Sequence, residues 1–255
     1  MITVLVCLGL LSLVSMSLLV IKPFFMVRAL WWLYGYVYDG LLFFYPYQNL
    51  ITKVEVRLSS HEGSVLEIGC GTGNALQVAL RHSQDVVGVD LSASMLRVAK
   101  HKLKHEAQSG HLALYHNDIL SFLETQQDNT FDTIISVNVL YAIDDRERIW
   151  RELFRVMKPN GKMIMTTSVA TGSKHLIYEH ITNAKKRHLI RPRLIAVFLV
   201  DHLIDVFAGT GQFEFPSANI LRAEVESNGG IWSDEVRCYG GEHTGVNVMF
   251  TVYRA

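Results

Sequence analysis

The sequence predicts an α/β fold: a doubly wound, mostly parallel seven-stranded sheet with an antiparallel carboxy-terminal hairpin, preceded by an amino-terminal hydrophobic helix. Three observations predict it. From residue 64 onward, short β-branched runs alternate with helical patterns, the order expected of βαβ units. The first run is followed at once by a glycine-rich turn, Gly69-Cys70-Gly71-Thr72-Gly73. The last two runs are joined by Gly240-Gly241-Glu242-His243-Thr244-Gly245, a connection that suits a hairpin.

Taken in order, the chain begins with Ile2 to Ile21, which contains no charged residue and is rich in Leu, Val and Met. That is about the length that crosses a bilayer as a helix. It reads as a membrane anchor over residues 1–22. A secretory signal is the rival reading, but there is no positive leader and no small-residue cleavage site before Lys22. Lys22 and Arg28 follow the span, so the positive-inside rule places the rest of the chain on the cytoplasmic side. Residues 23–58 form an aromatic-rich stretch (Phe24, Phe25, Trp31, Trp32, Tyr34, Tyr36, Tyr38, Tyr45, Tyr47 among them), suited either to the headgroup layer or to helices packed on the domain's own surface.

The catalytic domain is expected over 59–255. Its first run, Ser64 to Ile68, precedes the glycine turn and a helix from about Asn74 to His82. The second, Asp85 to Val89, ends at Asp90, and Ser92 is placed to cap a helix running to about Lys104. The third, His111 to His116, ends at Asn117-Asp118; the fourth, Thr130 to Val137, ends at Asn138 and precedes a helix over Asp145 to Met157. A turn at Lys158-Pro159-Asn160-Gly161 leads to the fifth run, Lys162 to Thr167. An insertion at about 168–216 follows, then a helix capped by Ser217 and stopped by Gly229-Gly230, then the hairpin runs Ile231 to Tyr239 and Val246 to Tyr253.

Composition narrows the function classes. Lys plus Arg (24) equals Asp plus Glu (24), so no basic footprint for nucleic acid is present, and none is expected as a partner. The three cysteines are too scattered for a disulfide framework, and no His/Cys spacing resembles a zinc site, so a metal-free site is expected.

In open α/β sheets ligands bind beyond the carboxyl ends of the strands, where strand order reverses, and the unusual residues of this chain fall there. Gly69, Gly71 and Gly73 allow a tight turn and close approach of backbone to ligand, and the next helix offers free N–H groups. Glu67 adds a carboxylate at the strand end. Seventeen residues after Gly73, Asp90 stands where an acid can accept hydrogen bonds from both ribose hydroxyls. A dinucleotide fingerprint would need a third glycine where Asn74 stands, and the GxGxG spacing disfavours that ligand.

With those residues in place, the chain resembles the class I, seven-stranded S-adenosylmethionine (SAM)-dependent methyltransferases. The resemblance runs from about Tyr38 to Arg254. It rests on Val65-Leu66-Glu67-Ile68-Gly69-Cys70-Gly71-Thr72-Gly73, Val87-Gly88-Val89-Asp90-Leu91-Ser92, Asn117-Asp118-Ile119, Phe131-Asp132-Thr133-Ile134-Ile135-Ser136 and Leu153 to Gly161, five motifs in order. It implies SAM as cofactor. By resemblance, Glu67 and the glycine turn, with Cys70 and Asn74, contact the methionine portion; Asp90 holds the ribose, Leu91 packs on adenine, and Asn117, Asp118 and Ile119 meet the adenine edge. Asn138 stands where methionine and substrate are approached. Tyr38-Asp39 resembles a segment of ubiquinone/menaquinone-type and related small-molecule methyltransferases whose tyrosines close over SAM.

The implied reaction is SN2 methyl transfer, in which positioning supplies much of the acceleration. After the fourth run the chain reads Ser136-Val137-Asn138-Val139-Leu140-Tyr141, without the Asn/Asp-Pro-Pro-aromatic signature of enzymes that methylate exocyclic amines. Tyr141 replaces the histidine of many quinone-type relatives, so its role is either catalytic or that of a pocket wall. The insertion holds Lys185, Lys186, Arg187, His188, Arg191 and Arg193, then an apolar stretch interrupted by Asp201, His202 and Asp205. The cluster is either a solvated face or a cap that meets anionic headgroups, and His202 either a base or a member of a surface ion pair. The leading expectation is methyl transfer to an amphiphilic or lipid-like small molecule at a membrane surface. The alternatives are a soluble metabolite or protein acceptor, with the anchor serving only as an address, and a non-catalytic SAM-binding membrane subunit.

Overall fold

The structure, a computed structural model, describes residues 38–59, 61–169, 213–239 and 245–254, with Gly35 and Glu179. The apolar span of 1–22, the aromatic residues before Tyr38, the basic cluster at 185–193, His202 and the connection at 240–244 lie outside the described residues. Among those described, no helix is long and apolar enough to cross a membrane.

A 3-10 turn at Tyr38–Phe43 leads into α1 (Tyr45–Val56). The alternating part then follows: β1 (Ser64–Ile68), α2 (Asn74–Ala79), β2 (Asp85–Asp90), α3 (Ala93–Lys102), α4 (Lys104–Gln108), β3 (Leu112–His116), α5 (Ile119–Glu124) and β4 (Phe131–Val137). A 3-10 turn at Leu140–Ala142, α6 (Arg146–Val156), β5 (Met157–Ser168), α7 (Ala218–Ser227), β6 (Gly230–Cys238) and β7 (Asn247–Arg254) complete it. The sheet order is β3-β2-β1-β4-β5-β7-β6. The first five strands run parallel and the last two form an antiparallel hairpin, as the sequence predicts; the structure adds that β7 inserts between β5 and β6. Strand order reverses between β1 and β4, so the ligand crevice of such a sheet opens at their carboxyl ends.

The central strands are apolar on both faces because both are covered. Along β1, Val65 joins one core and Leu66 and Ile68 the other; along β4, Ile135 and Val137 alternate with Ile134 in the same way. The first core is roofed by α1, α2 and α3 through Leu50, Val54, Leu76, Met95 and Leu96. The second is roofed by α5, α6 and α7 through Phe122, Trp150, Leu153, Leu221 and Val225. Helix α6 shows why such a segment forms: the Asp145 carboxylate accepts from the Arg148 N–H at its start, and Ile149, Trp150, Leu153, Phe154 and Val156 bury one stripe. Each such side chain contributes about 1.5–3 kcal/mol by leaving water.

Two sequence boundaries move. Strand β5 starts at Met157, paired with Phe131, and Lys158–Gly161 is a tight loop carried within the strand rather than a turn ahead of it. Asn160 takes a φ of 66° there, and the Lys158 ammonium pins the loop to Asp132 at 2.6 Å. The helix after β2 stops at Lys102 and resumes as α4, because Leu103 leaves helical geometry (φ −108°, ψ 34°) while burying its side chain.

Candidate functional site

The glycine turn joins β1 to α2, and its three glycines do different things. All three have positive φ (63°, 53° and 80° at Gly69, Gly71 and Gly73). A Cβ at Gly69 would collide with Val139, and one at Gly73 would meet Leu103 Cδ1 at 3.0 Å and Ala99 Cβ at 3.3 Å. Those two positions are closed by the protein itself. Among the described residues, a Cβ at Gly71 would have only Met95 Sδ at 3.7 Å and Tyr38 Cε1 at 4.0 Å near it, so Gly71 is the least crowded of the three.

Asp90, at the end of β2, is fixed by two backbone donors: the Gly71 N–H at 2.8 Å and the Ser92 N–H at 2.7 Å. Burial raises its pKa above the usual aspartate value, against the pull of those two amides and of His116. Glu67 is 2% exposed, and its Oε2 has no hydrogen-bond partner among the described residues. Burial first and the Asp90 charge second push its pKa well up, with the Leu76 amide and Lys102 pulling partly back. A buried carboxylate oxygen with no donor is costly and marks a place where a donor belongs.

The sheet brings the third motif alongside. The Asn117 N–H donates to the Asp90 carbonyl at 3.2 Å, and a His116 ring nitrogen lies 3.0 Å from the Leu91 carbonyl. Leu91 keeps 49% of its surface exposed. Asp118 caps α5 by accepting from the Ser121 N–H at 3.1 Å, and the Ile119 side chain packs on the second core. Cys70 and Asn74 turn inward. The Cys70 thiol is buried in the first core, where burial pushes its pKa well up, and the Asn74 side chain is 5% exposed.

Past β4, Asn138 also takes a left-handed backbone (φ 58°). Its Oδ1 accepts from Asn247 Nδ2 at 2.6 Å and the Thr166 hydroxyl at 3.2 Å, and its Nδ2 donates to the Tyr239 hydroxyl at 3.3 Å. Tyr141 is 8% exposed, edge-on to Phe213 (5.6 Å between centroids) and stacked on Phe215 (5.4 Å). Glu67, Gly71, Asp90, Asn117, Asp118 and Asn138 thus share one edge of the sheet. His202 lies outside the described residues.

Sequence reasoning missed four side chains of this edge: Lys102, Asp39 as a partner of the turn, Asn247 and Tyr239. Lys102 sits in Lys100-His101-Lys102-Leu103-Lys104, where nothing local separates one cation from its neighbours. Tyr38 is found at the turn, edge-on to Tyr47 with centroids 6.1 Å apart. Among the described residues no His, Cys, Asp and Glu group is arranged to hold a metal ion. A shallow depression of about 370 Å³ lies at the opposite, amino edge, lined by Glu62, Ser64, Asp85, Asp132 and Lys158. Two of its charged residues, Lys158 and Asp132, are ion-paired to each other, and Glu62 is paired with Lys162.

Residues 66–165 match the family described as a methyltransferase domain. The chain is 34% identical over 131 residues to demethylmenaquinone methyltransferase of Anoxybacillus flavithermus, covering 49% of this chain and 54% of that protein. It is 34% identical over 104 residues to phosphoethanolamine N-methyltransferase 2 of Caenorhabditis elegans, covering 40% and 23%. The matches therefore span about half the length of these relatives or less. A solved S-adenosylmethionine dependent methyltransferase from Mesorhizobium loti shares the fold, with a TM-score of 0.55, 15% identity and coverage of 80% and 96%.

Proposed function

We propose that this chain, which carries a methyltransferase domain over residues 66–165, binds SAM along the carboxyl edge of β1, β2 and β3 and methylates a small-molecule acceptor. One observation carries the reading: Gly71, uncrowded where a side chain would stand, gives its N–H to the Asp90 carboxylate, whose charge is felt by the buried Glu67 with its unpartnered oxygen.

The residues fit the cofactor. Glu67 Oε2 offers a buried acceptor to a cationic ligand group, which would satisfy the orphaned oxygen. Asp90, already oriented by the Gly71 and Ser92 amides, would accept from ribose hydroxyls. Half-exposed Leu91 supplies apolar cover for an adenine ring, with Asn117 and Asp118 beside it. When bound, the sulfonium supplies an electrophilic methyl group open to in-line attack. The chain's own residues do the holding. Asn138 is locked by Thr166, Asn247 and Tyr239 next to the turn, so the acceptor wall is rigid, and rigidity of this kind is how positioning accelerates transfer.

The acceptor we favour is amphiphilic and quinone-like or lipid-like, met at a membrane surface on its cytoplasmic side. The demethylmenaquinone methyltransferase likeness and the uncharged stretch Ile2 to Ile21 support this. A soluble acceptor, with the apolar stretch used only for address, is the second reading, and the phosphoethanolamine N-methyltransferase likeness favours it.

Titration of the full chain with SAM tests the cofactor, and a chain that takes up none refutes the proposal. Incubation with methyl-labelled SAM and total membrane extract separates the acceptors: label in the organic phase is expected, and label confined to water turns the choice to the second reading. Carbonate extraction of the full chain, against one starting at Lys22, reports on the anchor; a full chain that washes off membranes removes it.

A further inference from the structure

Resting on the cofactor reading above, we infer that Lys102 is a positioning residue of the SAM site: its ammonium group fastens the Tyr38–Tyr47 segment onto the glycine turn, and the turn holds its binding shape only while that bridge is made.

Lys102 is the last residue of α3, and a lysine at such a place ordinarily keeps its charged head in water. Here the side chain is only 18% exposed and its head is turned inward, 2.9 Å from Asp39 Oδ1 and 2.7 Å from Asn74 Oδ1. Asp39 Oδ1 also accepts from the Thr72 hydroxyl at 2.6 Å. Thr72 and Asn74 are the two neighbours of Gly73, whose φ of 80° sets the exit of the turn, and both are buried. One cation therefore grips the turn on both sides of its left-handed residue.

The orientation of the Asn74 amide explains why a cation is needed. Its Nδ2 donates to the Tyr47 hydroxyl at 3.3 Å, which leaves Oδ1 facing Asp39, acceptor towards acceptor. Only a donor with more than one hydrogen satisfies both, and an ammonium group has three. Tyr47 is hydrogen-bonded to Tyr38 as well, and the Tyr38 ring rests against Gly71, the open face of the site. Lys102 thus closes a ring of contacts, from Tyr38 through Tyr47, Asn74, Asp39 and Thr72, around the part of the turn that a ligand meets. The segment before β1 meets the turn directly, Asp39 at Thr72 and Tyr47 at Asn74, and Lys102 ties these two contacts together.

Lys162 provides the control. Its side chain is also 18% exposed and pairs with Glu62 at 2.7 Å, but at the amino edge of the sheet. Calorimetric titration of the full chain with S-adenosylhomocysteine, alongside thermal melts, separates positioning from bulk stability. Lys102→Met is expected to weaken binding about tenfold, the loss of a charge-assisted hydrogen bond that orders the turn, and Lys102→Arg to recover all but about threefold of it. Should Lys102→Met fold poorly, Asp39→Asn keeps the shape and the Thr72 contact and removes only the charge, with about fivefold weakening expected. Lys162→Met is expected to lower the melting temperature and leave affinity within about twofold. Wild-type affinity in both Lys102→Met and Asp39→Asn overturns the inference, as does an equal loss of affinity in Lys162→Met. A wild-type chain that does not bind the probe overturns the functional reading itself, and the inference with it.

Discussion

The two edges of the sheet use the same residue types to opposite ends. At the amino edge, burial alone would raise the Glu62 carboxylate, but the Lys162 ammonium, the Thr133 hydroxyl and the Ser59 donors outweigh it and bring it down to about 2. Asp132 is lowered in the same way, burial being outweighed by Lys158 and Ser64. At the carboxyl edge, burial wins at both Glu67 and Asp90, and their pKa values rise. At the amino edge both carboxylates are paired within the chain. At the other, Asp90 is held by two backbone amides while the buried Glu67 Oε2 has no hydrogen-bond partner among the described residues, the arrangement expected where a ligand completes the set. Acidic residues of equal charge therefore stabilise one end of each strand and prepare the other end for binding.

The largest test breaks the carboxyl edge. Asp90→Ala is expected to weaken SAM binding by about 2–3 kcal/mol, the worth of hydrogen bonds to a charged group, as read by calorimetry. An unchanged affinity would remove Asp90 from the site.

A second substitution sharpens the contrast by separating stability from binding. Because the folded pKa of Glu67 is raised, its contribution to stability is complete below the unfolded value and is lost as pH rises through the folded value. Glu67→Gln should then raise stability at neutral pH by about 1–2 kcal/mol while weakening SAM, since a neutral amide is cheaper to bury and a poorer acceptor for a cation. Denaturant midpoints with and without SAM would show it. A destabilised apo protein would mean that the carboxylate is already satisfied.

The smallest effect is expected at the amino edge. Glu62 has a depressed pKa, so its stabilisation is present above 4.5 and lost as pH falls towards 2. Glu62→Gln should cost about 1 kcal/mol at neutral pH, a modest value because the amide oxygen can still accept from Lys162, Thr133 or Ser59 and only the charge is lost, and should flatten the acid unfolding curve over that window. SAM affinity should not move. A shift in affinity as large as that of Glu67→Gln would erase the distinction between the edges.

Much of this was legible along the chain because it is carried by local pattern. Strand and helix periods, the Ser92 and Ser217 caps and the Gly69-to-Gly73 turn are short-range features, and the structure places them where the sequence does. The misplaced start of β5 has a long-range cause: Lys158-Pro159-Asn160-Gly161 has the composition of a turn, yet Asp132 on the neighbouring strand holds it within the sheet. Likewise, Lys102 is one cation among several on its helix until Asp39 and Asn74 arrive from other parts of the chain.

By itself the sequence determined the βαβ order, the antiparallel end and the acids and glycines of the binding edge, because hydrophobic period and backbone chemistry act over a few residues. Tertiary structure alone decided which glycine faces open space, which carboxylate is left without a donor and which lysine turns inward. Those properties depend on what packs opposite a residue, and for Gly71, Glu67 and Lys102 the opposing groups come from elements far away in the chain.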